Sequence, residues 1–186
     1  KVVICLWGFL IVLLYTLHSG CGNPEAAKSN KNKVENNLIL SELPDTVLLQ
    51  QLLKTGIEKR KSNKDSALTC FNEIGRYCLP VCNNLLVRQE ERQVYITYYI
   101  NSLNNSGLVY YFHCKYDSAM HFFQSAKTWS EKSGNQLLLA ESMFNIAEVH
   151  LELGNFEKAN KLYSESEKIY RENGDELSVF YCLNSL

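Results

Sequence analysis

The feature that most constrains the fold of this chain is an internal repeat in its second half. Residues 102–136 and residues 142–176 align without a gap at an offset of 40 residues. The matched positions are mostly small or aromatic. They include Asn105 with Asn145, Gly107 with Ala147, Ala119 with Ala159, Phe123 with Tyr163 and Gly134 with Gly174. A repeat of this length predicts similar supersecondary units stacked along the chain.

The repeated residues suit a pair of antiparallel helices joined by a short turn. Ala119 and Ala159 are small where two helices would cross closely, and Phe123 lies four residues after Ala119, on the same helical face. Gly134 and Gly154 supply residues that end a helix with a positive φ. With only 3 prolines in 186 residues, the chain has few helix breakers, so we expect long helices.

These helix-turn-helix units resemble the tetratricopeptide repeat family. The residues that carry the resemblance in the first unit are Leu103, Gly107, Tyr110, Tyr116, Ala119, Phe123 and Ala126. In the second unit they are Ile146, Ala147, Phe156, Ala159 and Tyr163. His150 and Ser166 depart from the family pattern, and the 40-residue offset exceeds the family's period of about 34. The resemblance implies an all-α fold, a right-handed α-solenoid preceded by a hydrophobic N-terminal segment.

A weaker unit precedes the two clear ones. Ala67 and Phe71 repeat the spacing of Ala119 and Phe123, and an insertion follows in which we expect Pro80 to break the helix. We also expect the native protein to continue beyond residue 186. The predicted organisation is 1–21 signal peptide or membrane anchor, 22–43 flexible tether, 44–95 degenerate first repeat with insertion, 96–136 and 137–176 tetratricopeptide repeats, and 177–186 the start of a truncated repeat.

The N-terminus predicts attachment to a membrane. Residues 2–17 form an apolar run of about 24 Å as a helix, which is short of a bilayer core of about 30 Å and fits a secretory signal. Ser19-Gly20-Cys21 follows and resembles a bacterial lipoprotein signal of the relaxed, Bacteroidetes-type kind, which implies lipidation at Cys21. The alternative is an uncleaved anchor with Cys21 as a plain thiol. Either reading predicts a membrane-associated, extracytoplasmic protein.

The resemblance also implies where a partner would bind, because first helices of such repeats line a concave surface used by peptides. The implied groove residues are Asn101, Asn104, Leu108, Tyr111, Phe112, Glu141, Phe144, Glu148, Leu151 and Glu152. This set is aromatic and acidic. It lacks the Lys and Arg with which some chaperone-binding relatives hold a carboxylate, so we do not expect that mode. The alternative is that the acids only form a solvated face.

The remaining residues give little support for catalysis or metal binding. There are 7 cysteines but no C-x-x-C pair, and most are expected to be buried apolar residues, with a Cys78–Cys82 disulfide as a minor alternative. His113, His121 and His150 show no zinc-ligand spacing. No nucleotide-binding or hydrolase motif is present. We therefore expect a protein that is not an enzyme and needs no cofactor or metal.

The predicted function is a membrane-tethered interaction module that binds a peptide or protein in its groove. The net charge of −1 gives no case for nucleic acid. Two alternatives share the same features. The chain could be the sensor or input region of a longer signalling protein, such as a histidine kinase or transcriptional regulator. It could also be, as a lesser alternative, a nutrient-uptake lipoprotein.

Overall fold

A computed structural model describes residues 45–85 and 87–185, and all regular structure in these ranges is α-helical. The N-terminal anchor, the tether and Cys21 lie outside the described residues. The helices are α1 Thr46–Lys59, α2 Lys64–Cys82, α3 Gln89–Phe112, α4 Tyr116–Ser133, α5 Gln136–Glu152, α6 Phe156–Glu172 and α7 Glu176–Ser185. The predicted all-α class is therefore confirmed for this part of the chain.

The helices pack in sequence order, each against the next, as short turns require. Three pairs result, α1 with α2, α3 with α4 and α5 with α6, and α7 packs on α6. Consecutive first helices also meet, since α1 contacts α3 and α3 contacts α5. Among the described helices, neither α2 with α4 nor α4 with α6 has a comparable interface. The first helices therefore form the more closely packed layer.

Each pair is closed by a small residue on its first helix and an aromatic ring on its second. A Cβ built on Gly107 would lie 2.4 Å from Phe123 Cε1, and one on Gly56 would lie 2.5 Å from Phe71 Cε1. Ala147 packs with Tyr163 in the same way. The contact between Gly56 and Phe71 gives the first pair the same internal contact as the other two.

The turns repeat as closely as the crossings do. Gly134, Gly154 and Gly174 have φ of 72°, 74° and 74°, and after each one a backbone N–H reaches back to a carbonyl near the helix end. Cys114 occupies the same place between α3 and α4 with φ 54°, and Lys115 N–H donates to Tyr110 O at 2.9 Å. The turn at Cys114 therefore adopts the positive φ of the other three turns, although a cysteine occupies the glycine position.

The structure differs from the sequence-based expectation at Pro80. Helix α2 continues through Pro80 and ends at Cys82, although proline removes one backbone hydrogen bond. The last turn is held by burial of Val81 and Cys82 and by bonds from Asn83 to Leu79 O. Helix α3 then begins at Gln89, so it extends into the segment that we assigned to the insertion.

Two other expectations are revised by the side-chain environment. The repeat pattern predicts Tyr116 and Phe156 just before the second helices, where they would fill the gap at each turn. In the structure they are the first residues of α4 and α6. Phe156 is 62% exposed, so it fills no gap at its turn. The departure at Ser166 has a physical reason, because its buried hydroxyl donates to Ala140 O and joins α6 to α5.

Candidate peptide-binding surface

The predicted groove residues all lie on the first helices α3 and α5, with most of them accessible to solvent. Asn101, Leu108 and Tyr111 are half-buried and Phe112 is exposed. On α5, Glu152 is exposed, and the half-buried residues are Glu141, Phe144, Glu148 and Leu151. These residues form a strip that the packing of α3 against α5 makes continuous.

Asn104 does not belong to the accessible part of this strip. Its side chain is fully buried, and its Oδ1 accepts a hydrogen bond of 3.1 Å from the Ser142 hydroxyl on α5. The resemblance to the repeat family implies Asn104 as a groove residue, but the close approach of α3 and α5 covers it. Asn104 therefore joins two first helices through its Oδ1, while its buried Nδ2 has no hydrogen-bond partner.

Tyrosine hydroxyls and glutamate carboxylates form a network across the strip, which we call the tyrosine–glutamate cluster. The Tyr111 hydroxyl donates to Glu148 Oε2 at 3.4 Å and to Glu152 Oε1 at 3.2 Å. Tyr116 donates to Glu152 Oε2 at 3.2 Å, and Tyr163 donates to Glu148 Oε1 at 2.5 Å. The cluster thus ties together α3, α4, α5 and α6 with two carboxylates at its centre.

The electrostatic environment keeps these hydroxyls protonated. Burial, followed by the charges of Glu148 and Glu152, raises the pKa of Tyr111 above its ordinary value. Burial and the hydrogen bond to Glu148 likewise raise the pKa of Tyr163. A hydrogen bond with Cys114, then desolvation and Glu152, raises the pKa of Tyr116 to about 12. All three tyrosines therefore act as neutral donors at physiological pH.

Basic residues from the first helix pair border the same strip. Arg60, which caps α1, donates from Nη1 to Asn105 Oδ1 at 2.9 Å, and its guanidinium lies 5.7 Å from the Phe112 ring centroid. Lys61 Nζ lies 4.7 Å from the same ring. Burial raises the pKa of Glu141, and the charge of Arg60 opposes that shift. The strip therefore changes from basic at α1 to acidic at α5.

Asn145 on α5 corresponds to Asn105 on α3, but it lacks a partner such as Arg60. It is 6% exposed, and its amide nitrogen Nδ2 makes no hydrogen bond. Asn105, by contrast, uses both ends of its amide, since its Nδ2 donates to Asn101 O at 2.9 Å. A buried amide without a partner loses hydration with no compensation.

Sequence analysis missed Arg60, Lys61, Asn145, Tyr116 and Tyr163 as parts of this surface. Arg60 and Lys61 belong to the weak first unit, where the insertion hides the correspondence between first helices. The available signal was Gly56, because Arg60 follows Gly56 by four residues as Tyr111 follows Gly107. The repeat matches Asn145 with Asn105, which indicates a shared structural position but does not indicate that its side chain takes part in a binding surface.

Other parts of the described chain offer no comparable constellation. Two open surface depressions of about 410 and 330 Å³ lie elsewhere, one lined mainly by charged residues of α4 and α6 and one around Cys82 and Trp129. Within the described ranges, no group of three His, Cys, Asp or Glu side chains could hold a metal ion. Cys78 and Cys82 are free, and burial raises their thiol pKa to about 12 and about 11.

Taken together, the stacked helix pairs, whose consecutive first helices also meet, define a helical-repeat protein. Residues 98–172, which span most of α3 and all of α4 to α6, match the family model described as tetratricopeptide repeat. The match supports a protein of the tetratricopeptide repeat family, whose repeats generally mediate protein–protein interaction and typically form non-catalytic scaffolds. A search of curated proteins found no match to this chain.

The described helices also bear on membrane crossing. None of them, within residues 45–85 and 87–185, combines the length and apolar character that a bilayer span requires.

Proposed function

We propose that this protein is a membrane-tethered interaction module that binds a peptide or protein segment along the first-helix strip of α3 and α5. The observation that carries the proposal is the tyrosine–glutamate cluster. It places aromatic and carboxylate groups from four helices side by side. Its half-buried Tyr111 and Tyr116 offer rigid surface to a ligand.

The surrounding residues support binding of an extended segment. Leu108 and Phe144 add half-buried apolar surface, and Phe144 contacts the Tyr163 ring with centroids 5.3 Å apart. Apolar surface flanked by a small number of fixed polar groups is the usual composition of a peptide groove. By contrast, the outer faces of α4 and α6 carry same-helix ion pairs such as Lys127–Glu131 and Lys161–Glu165.

Selection from a random dodecapeptide display library on the full chain, held in a non-ionic detergent, tests this proposal. We expect enriched peptides to lose at least about tenfold in affinity when Tyr111 and Leu108 are both changed to Ala. The matched control changes the exposed second-helix residues Gln124 and Lys161 to Ala and should leave affinity unchanged. Failure to enrich any peptide, or equal losses in both double variants, would contradict binding on the first-helix strip.

We further propose that lipid on Cys21 holds this module at an extracytoplasmic membrane surface. The support is the sequence alone, namely Ser19-Gly20-Cys21 directly after the apolar residues 2–17. A radiolabelled fatty acid should enter the protein in a bacterial host, and Cys21→Ala should abolish that labelling. Cys5→Ala is the matched control and should keep the label. Labelling that survives Cys21→Ala, or is absent in the parent protein, would leave only the anchor alternative.

A further inference from the structure

We infer that the first-helix strip recognises an arginine side chain of its partner, whose guanidinium binds between Glu148 and Glu152. Asn145 donates its free amide hydrogen to a carbonyl of the same partner segment. This inference rests on the proposed function and specifies the chemistry of the segment that the strip accepts.

The first argument is the negative charge in the tyrosine–glutamate cluster that no ion pair of the described chain neutralises. Glu148 and Glu152 lie one helical turn apart on α5, where two like charges repel. The ion pairs found in the described chain join residues three or four apart on one helix, and none of them includes Glu148 or Glu152. Their hydrogen-bond donors are tyrosine hydroxyls, which are neutral. A cation from outside would relieve this repulsion.

The second, independent argument is Asn145. Asn145 is only 6% exposed, and its amide nitrogen Nδ2 has no hydrogen-bond partner. It lies three residues before Glu148 on α5, on the same helical face. It also precedes Ala147 by two residues, as Asn105 precedes Gly107. A donor in this position requires an acceptor, which a peptide carbonyl supplies.

The third argument comes from the chain's own arginine. Arg60 follows Gly56 by four residues, and its guanidinium binds Asn105 of the next unit and lies over the Phe112 ring. At the corresponding place in the next unit stands Tyr111, which bonds to the carboxylates but brings no charge. The strip therefore holds the Arg60 guanidinium beside Asn105. Beside Asn145 it has the carboxylates of Glu148 and Glu152 but no cation.

Arginine fits this place better than lysine does. Its planar guanidinium carries five donors, so it can bind two carboxylates at once, and it stacks on aromatic rings. Tyr111 bonds to both carboxylates and Tyr116 bonds to that of Glu152, and the two rings have centroids 6.0 Å apart. Lysine would present a single strongly hydrated charge and gain less from the rings.

Fluorescence polarisation with four pools of labelled decapeptides tests the inference on the full chain in a non-ionic detergent. Each pool is random except for one central residue, fixed as Arg, Lys, citrulline or Glu. We expect the Arg pool to bind at least about tenfold tighter than the citrulline pool, which keeps the shape but lacks the charge, and this preference should weaken as salt is raised.

The decisive variant is Glu148→Gln with Glu152→Gln, which keeps the size of each side chain and one acceptor oxygen on each, and should remove the Arg preference. The exposed Glu152→Gln change alone cannot disturb the core and should reduce the preference several-fold. The matched control, Glu165→Gln with Glu172→Gln on α6, should retain it.

Three results would overturn the inference. Equal binding of the Arg and citrulline pools would refute arginine recognition while peptide binding itself stands. An Arg preference that survives in the Glu148→Gln, Glu152→Gln protein would place the acidic site elsewhere. Absence of binding by every pool would refute the proposed function and, with it, the choice of arginine.

Discussion

Gly107 offers a direct test of how closely the helix pairs are packed. A Cβ added there would lie 2.4, 2.6 and 2.9 Å from three ring atoms of Phe123, whose side chain is fully buried. Forcing extra volume into a packed core costs about 1–3 kcal/mol. Replacing Gly by Ala inside a helix returns about 1 kcal/mol through helix propensity. We therefore expect Gly107→Ala to lower the free energy of unfolding by about 0–2 kcal/mol.

The chain contains a matched control for the propensity effect. Gly75 also lies inside a helix, α2, but a Cβ there would meet only Tyr99 at 3.6 Å, which is an ordinary contact. Gly75→Ala should consequently raise the free energy of unfolding by about 0.5–1 kcal/mol. The difference between the two variants, about 1–3 kcal/mol, isolates the crowding of Phe123.

Urea unfolding followed by circular dichroism at 222 nm measures both variants under one set of conditions. The second clear repeat makes the test demanding, because Ala147 is accommodated beside Tyr163. If the Phe123 ring can make room for an alanine at residue 107, as Tyr163 packs beside Ala147, the crowding between the added Cβ and the ring is relieved. Equal stabilisation by Gly107→Ala and Gly75→Ala would show this and refute the argument that Gly107 is required for the close crossing.

Three further predictions follow from the turns, the crossings and the thiols. Ala119→Trp places a large ring at a fully buried crossing and should cost at least about 1–3 kcal/mol, so an unchanged melting curve would contradict the repeat register. Cys114→Gly relieves a positive φ and should add about 0.5–1 kcal/mol in urea unfolding, whereas Gly154→Ala in the equivalent turn should lose a similar amount; the reverse order would refute the turn equivalence. The raised pKa of Cys78 means that its stabilisation is complete below the unfolded-state pKa of about 8.5 and is lost as pH rises toward about 12. The contribution of Cys78 to the free energy of unfolding should therefore fall by about 1 kcal/mol between pH 8 and pH 9.5. The urea midpoint of the parent protein should fall further over that range than the midpoint of Cys78→Ala, and equal falls would contradict this.

The sequence was sufficient to predict the helix pairs because their packing depends on spacing within each unit. Ala119 and Phe123 are four residues apart on one helix, so their shared face follows from helical geometry alone. The turn glycines are likewise local, since Gly134 and Gly154 supply the positive φ that ends a helix. The early helix pair was harder to read, because an insertion shifts its alignment and hides the match between Gly56 and Gly107.

The binding surface was less predictable because it depends on distances between units. Asn104 and Asn105 are neighbours in sequence, yet one is closed off by Ser142 and the other is bound by Arg60. Nothing in the spacing of α3 distinguishes them, since the outcome is set by how near α5 and α1 approach. Arg60 itself lies 45 residues from Asn105, a separation that no helical periodicity encodes.

The contrast between the two kinds of contact explains how one scaffold can hold its shape and still offer a charged surface. Within a pair, the aromatic rings that close the crossing are fully buried, as for Phe123 and Tyr163. Between first helices, the buried residues include polar side chains such as Asn104 and Ser142, whose mutual hydrogen bond fixes how α3 and α5 meet. This position of α5 places the Glu148 and Glu152 carboxylates at the tyrosine hydroxyls that donate to them. The repulsion between these two carboxylates is the physical argument for the recognition of a basic side chain that we propose at this place.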